Sequence, residues 1–177
     1  MPPTPDPAAS FRALYERHRD DVWRYLRRRT DHHVAEDLTT EVFVVAWRRR
    51  EEPPEAELPW LYGVARNVLA NHRRGAGRAA ALTERAEHEA PAVERDHAEP
   101  ADARADVLAA LKRLAPADRE VLLLVAWEGL TSAEAAKVLG CRPTAARARL
   151  HRARKRLRAV LDPQDSTPSM TPLELSR

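Results

Sequence analysis

A chain of 177 residues with 44% hydrophobic content has room for one ordinary domain or two small ones, and its single cysteine, Cys141, excludes an internal disulfide and fits a reducing compartment. Charged residues make up 32% but the net charge is only +3, so where the charges lie matters more than their sum. The opening MPPTPDPAAS has neither the cationic start nor the apolar core of a signal peptide, and the longest apolar run, VLLLVAW from Val121, is far too short to cross a bilayer. A soluble, cytoplasmic protein is expected.

Residues 1–9, with Pro2, Pro3, Pro5 and Pro7, are expected to form a disordered leader. Phe11, Leu14, Tyr15, Val22, Tyr25 and Leu26 then recur at three- and four-residue spacing, the period of a helix with one buried face. Val34, Leu38, Val42, Val45 and Ala46 repeat the pattern, and Leu61, Val64, Ala65, Val68 and Leu69 form a third stripe beyond a Pro-rich loop, Glu51 to Pro59. These stripes predict a helical domain over 10–77. From Thr83 to Asp106 the composition changes: eight acids (Glu84, Glu87, Glu89, Glu94, Asp96, Glu99, Asp102 and Asp106) face three arginines (Arg85, Arg95 and Arg104), and large apolar residues are nearly absent. Such a stretch buries too little surface to offset chain entropy, so a flexible acidic linker is expected over 78–105.

A second helical domain is expected over 106–161, with one helix around Val107 to Leu114, another from Pro116 to Trp127, and a disordered tail over 162–177. In its middle, GLTSAEAAKVLGC carries helix punctuation at both ends. Thr131 is an N-cap with Glu134 three residues on, a capping box, and Gly140 is a C-terminal stop after Val138 and Leu139. A short turn, Cys141–Arg142, leads to Pro143, which suits the first turn of a helix. A short helix, a tight Gly-containing turn and a longer basic helix are the parts of a helix-turn-helix. No alternating strand pattern occurs. The fold class is therefore all-α: two small helical domains joined by the linker.

The last helix opens with RPTAARARLHRARKRLR, which holds eight Lys or Arg residues and no acid. At 100° per residue, Ala146, Leu150, Ala153, Leu157, Val160 and Leu161 fall on one side. Thr144, Arg147, Ala148, His151, Arg152, Lys155 and Arg158 fall on the other, with Arg149, Arg154 and Arg156 as flanks able to reach phosphates. Ala148 allows close approach, and the forked guanidinium groups of Arg147 and Arg152 match guanine edges or phosphate. With the capped helix just upstream, this face reads as a DNA-reading head rather than a solvated basic surface.

Two further stretches, VAEDLTTEVFVVAW (Val34–Trp47) and PWLYGVARNVLANHRR (Pro59–Arg74), precede LAPADREVLLLVAWEGLTSAEAAKVLGC and LHRARKRL in chain order. In that order they resemble the bacterial RNA polymerase sigma factors, of the extracytoplasmic-function (ECF) group, also called group IV. The resemblance covers about 11–77 and 106–161. It implies that the first domain is sigma domain two and the second sigma domain four, a helix-turn-helix. By that resemblance Glu36, Asp37, Thr40 and Glu41 form an acidic face that docks on a coiled coil of the beta-prime subunit, with Thr40 where the family commonly has Gln. Arg66, Asn67, Arg73 and Arg74 would hold the minus-ten element, on a helix face where Gly63 and Ala70 leave room for a backbone. The loop at 51–59 would capture a base flipped from the non-template strand. Arg147, Ala148, His151 and Arg152 match the family's base readers of the minus-thirty-five element, and Arg142, Thr144, Arg149 and Lys155 complete that surface.

The expected partners are core RNA polymerase (its beta-prime and beta subunits), promoter DNA and an anti-sigma factor. No cofactor, metal or small-molecule substrate is expected, and no catalysis. His33 and Asp37, with His32 and Glu36 alongside, make at most half a metal site, and no Gly-rich phosphate loop occurs. The rival reading is a stand-alone helix-turn-helix regulator that binds duplex DNA without polymerase.

Overall fold

The computed structural model describes residues 6–50, 56–82 and 101–161, with backbone only for 79–82 and 101–105. Among the described residues there are seven helices and no strand: α1 (Pro7–Arg27), α2 (His32–Arg48), α3 (Glu57–Leu82), α4 (Ala101–Arg113), α5 (Pro116–Ala126), α6 (Ser132–Leu139) and α7 (Pro143–Leu161). Expectations placed on 1–5, 51–55, 83–100 and 162–177 lie outside the described residues.

Helix boundaries follow local chemistry. α1 starts inside the stretch expected as leader, because Asp6 accepts a hydrogen bond from the Ala8 backbone N–H at 3.1 Å and Pro7 supplies a helix-ready φ. Asp31 caps α2 through the Val34 N–H at 2.9 Å, and that bond holds its carboxyl below the usual range. α3 begins at Glu57, so Glu57 to Pro59 are helix rather than loop. The Glu57 carboxylate accepts from Arg17 at 2.5 Å and lies 3.0 Å from His18 Nε2, which pins the start of α3 to α1. α3 runs through Leu82 and α4 starts at Ala101, so helix enters the expected linker from both sides.

The N-terminal body is α1 to α3, each packed on the other two. Val22, Tyr25 and Leu26 meet Ala35, Leu38, Val42 and Phe43 of α2 and Leu61, Val64, Ala65 and Val68 of α3. Each large aliphatic side chain buried here contributes roughly 1.5–3 kcal/mol. An aromatic edge closes one end, with Phe11 edge-on to Trp47 at 5.0 Å and Tyr15 edge-on to Phe43 at 4.8 Å. The C-terminal body, α4 to α7, has a core of Leu111, Leu114, Val121, Leu122, Leu123, Leu150 and Ala153.

The two bodies share a boundary that periodicity did not reveal. α6 packs along α3, and Leu124, Leu130, Ala135 and Val138 join the core cluster of the N-terminal body.

Candidate nucleic-acid interface

The helix-turn-helix is built as its sequence punctuation demands. Thr131 accepts from the Glu134 N–H at 3.2 Å, and Glu134 accepts in return from the Thr131 N–H at 2.8 Å. The Thr131 hydroxyl and then its backbone N–H hold the Glu134 carboxyl below the usual range. Gly140 takes φ 63°, a left-handed conformation that a Cβ would strain, and its N–H donates to Lys137 at 3.2 Å. Pro143 then starts α7.

On α7, Ala146, Leu150 and Ala153 are buried against the C-terminal body. Arg142, Thr144, Arg147, Ala148, His151, Arg152 and Lys155 are exposed together. Two flanking arginines behave otherwise. Arg149 is half-buried and lines the cleft between the bodies, beside Leu139 and Leu123, so it stands apart from the other α7 residues. Arg156 pairs with Asp118 of α5 and ties α7 to its own domain rather than flanking a groove. Charge counting could not separate these from Arg147 and Arg152, because the difference lies in what packs beside them.

On α3 the expected DNA face meets protein. The backbone of α6 passes beside Gly63: a Cβ there would stand 3.9 Å from the Val138 Cα, an ordinary contact distance. Arg66 is half-buried, and with Asn67 it faces Lys137, Val138 and Gly140 across a cleft of about 390 Å³ that Trp60 and Arg49 also line. Arg73 and Arg74 are exposed, but Arg73 donates to the Arg29 carbonyl at 2.8 Å and Arg74 to the Asn71 side chain. Partial loss of hydration along the cleft draws the Arg73 pKa down.

On α2, Glu36, Asp37, Thr40 and Glu41 share one exposed face that continues into exposed Val44. The Thr40 hydroxyl turns back to the Glu36 carbonyl at 3.2 Å. His32, which with Glu36 stands alongside His33 and Asp37, lies 3.4 Å from a Glu36 oxygen and edge-on to Trp23.

Sequence reasoning missed a charged network between the bodies. Arg29 donates to Glu128 at 3.2 Å, to the Tyr25 carbonyl at 2.8 Å and to Glu120 at 3.4 Å. Tyr25 donates from its hydroxyl to Glu120 at 3.0 Å, stacks on Tyr62 at 4.9 Å and lies under the Arg29 guanidinium. Arg28 pairs with Glu128, whose side chain is 1% exposed. Burial pushes the Tyr25 phenol up; burial also opposes the Arg29 charge, but Tyr25, Glu120 and Glu128 outweigh it and raise its pKa.

Comparison with known proteins follows the same two-part division. The family description "Sigma-70 region 2" matches residues 14–79 and "Sigma-70, region 4" matches 104–157. The chain is 33% identical over 161 residues to the ECF RNA polymerase sigma factor SigC of Mycobacterium tuberculosis, covering 89% of this chain and 86% of that one. It is 32% identical over 155 residues to the RNA polymerase sigma factor CarQ of Myxococcus xanthus, covering 86% and 89%. Among solved structures, CnrH in complex with the cytosolic domain of CnrY aligns with a TM-score of 0.60 at 26% identity, covering 87% of this chain and 88% of that one. The sigma factor RpoE in complex with the anti-sigma factor NepR from Bartonella quintana shares the fold, with a TM-score of 0.69 at 24% identity, covering 86% and 96%.

Proposed function

This chain belongs to the ECF group of RNA polymerase sigma factors, and from that premise we propose how its surfaces divide the work of starting transcription. It binds core RNA polymerase and promoter DNA and directs initiation. In our reading the acidic face of α2 (Glu36, Asp37, Thr40 and Glu41) docks on the beta-prime subunit, where negative charge suits an Arg-bearing helical partner. Arg66, Asn67, Arg73 and Arg74 of α3 meet the minus-ten element. Arg147, Ala148, His151 and Arg152 of α7 read the minus-thirty-five element in duplex form, with Arg142, Thr144 and Lys155 on its phosphates. Arg149 takes part only if the cleft between the bodies opens. Residues 10–77 and 106–161 are the two working domains.

The factor supplies binding and positioning, with no chemistry of its own, and acts in the cytoplasm; among the described residues no helix is long and apolar enough to cross a membrane. A relative of known structure was solved with an anti-sigma factor, and an anti-sigma factor is the regulator proposed here too.

The observation that carries the division is the exposed α7 face behind a fully formed capping box, on the same chain as the exposed acidic face of α2. Run-off transcription with and without core enzyme tests it. Specific transcripts are expected only when chain and core are both present. A chain that represses or activates on duplex DNA but never directs core enzyme would instead be a stand-alone regulator.

A further inference from the structure

We propose that the cleft between α3 and the C-terminal body binds a nucleoside polyphosphate, with Arg66, Arg73, Arg74, Lys112 and Arg149 on its phosphates and Trp127 against its base. One consequence, competition between this ligand and promoter DNA, rests on the reading that α3 meets the minus-ten element.

The cleft has a volume of about 750 Å³, and small-molecule sites run from roughly 300 to 1,000 Å³. Basic residues crowd its lining, and among the described residues Glu120 is the one acid there. Glu120 is already engaged, since it pairs with Arg29 and accepts from the Tyr25 hydroxyl. Arg28 is engaged by Glu128. The charge left over is cationic.

Two of the cations are placed for an anion. Arg66 of α3 and Arg149 of α7 are half-buried, and neither side chain has an ion pair or hydrogen bond among the described residues. A half-buried charge without a counter-ion has already lost part of its hydration. An entering anion therefore strips less water from its partner, and a forked guanidinium offers phosphate two bonds at once. Partial loss of hydration also lowers the Arg73 pKa, and the like charges of Arg29 and Arg119 act in the same direction, against Glu120 and Tyr25. Arg73, Arg74 and Lys112 are exposed, so the cleft is reached from solvent on their side.

Charge alone would fit any anion. The rest of the lining narrows the choice: Leu108, Leu111, Leu123 and Leu139 are apolar, and Trp127, 39% exposed, stands at the end of α5 in the same cleft. Bare phosphate gains nothing from these side chains. A planar base stacks on an indole and covers leucine while its phosphates meet the arginines. Arg66, Arg73 and Arg74 would then serve ligand and minus-ten strand in turn, so that one excludes the other.

The test uses the full chain, with ATP and inorganic tripolyphosphate as probes in calorimetric titrations at physiological salt, where loose attraction is screened. ATP should bind saturably, about tenfold tighter than tripolyphosphate. Lys112→Gln with Arg149→Gln should weaken ATP by about tenfold or more. Trp127→Leu should weaken ATP and spare tripolyphosphate. Arg147→Gln with Arg152→Gln removes the same charge outside the cleft and should leave ATP binding unchanged. Far-UV circular dichroism checks that each variant keeps its helix. No saturable binding of ATP, or equal losses in the two charge-removing pairs, would overturn the site. Tripolyphosphate binding as tightly as ATP would overturn the nucleoside. Wild type supplies a test that needs no variant: ATP should release a labelled minus-ten single strand and leave a labelled minus-thirty-five duplex bound. Release of both alike would overturn the site. ATP binding with the expected variant pattern but no release supports the site and counts instead against α3 as the minus-ten helix.

Discussion

The two helices assigned to DNA meet their surroundings in opposite ways. α7 keeps Arg147, Ala148, His151 and Arg152 in solvent, while on α3 Gly63 lies beside the backbone of α6, Arg66 is half-buried in the same cleft and Asn67 is exposed. Both carry the same sequence signal, small residues framed by Arg or Asn. That signal means that some backbone approaches closely; it does not say whose. At Gly63 of α3 the neighbour is another part of the same chain, whereas the α7 face meets only solvent.

The largest expected effect falls on the shared boundary. Glu128→Ala takes that partner from buried Arg29 and from half-buried Arg28, and removing one side of a buried ion pair costs about 3–5 kcal/mol. Contact between the two bodies should weaken by about that amount, measured as a lowered urea midpoint and an expanded chain. If Glu128 did not join the two bodies through Arg28 and Arg29, the variant would unfold like wild type.

The next effect sharpens the α7 side. Arg152→Ala should cost roughly 1–3 kcal/mol of base discrimination, read as holoenzyme binding to matched and singly mismatched minus-thirty-five sites. Equal loss at both would place Arg152 on phosphate. Lys155→Ala should weaken all sites alike and lower the slope of log affinity against log salt by roughly 0.9.

Thr131→Ala removes the capping box that sets the entry to the reading helix. It should cost about 1 kcal/mol in thermal unfolding, with promoter binding falling in parallel. Smallest is the pH effect at the same turn. The Glu134 carboxyl is held below its ordinary range, so its contribution is complete above the unfolded-state value and is lost as pH falls through the lowered folded-state value. Acid titration of helix content should show this loss in wild type and lack it in Glu134→Gln.

Much of this was legible because it is local. The apolar stripes placed the helices, Thr131 and Glu134 gave the start of α6, Gly140 gave its end, and α7 divides into buried and exposed sides as its 100° period requires. Boundaries were less legible, since Asp6 and Asp31 caps turn on single hydrogen bonds. The Arg29–Glu128 contact was not legible at all. Its partners lie 99 residues apart, and a charged residue carries no periodic mark of being buried by a distant one. Arg149 and Arg156 show the same limit within one helix, since the tertiary structure turns them to the cleft and to Asp118 while Arg147 and Arg152 stay in solvent.

The most direct test compares two probes on the same free protein: a labelled minus-thirty-five duplex and a labelled minus-ten single strand, taken from one promoter. Arg152→Ala should weaken binding of the duplex and leave the minus-ten strand unchanged, and Asn67→Ala the reverse, because the two exposed residues lie on different helices, α7 and α3. A variant that binds both probes as wild type does, or weakens both alike, would contradict the account.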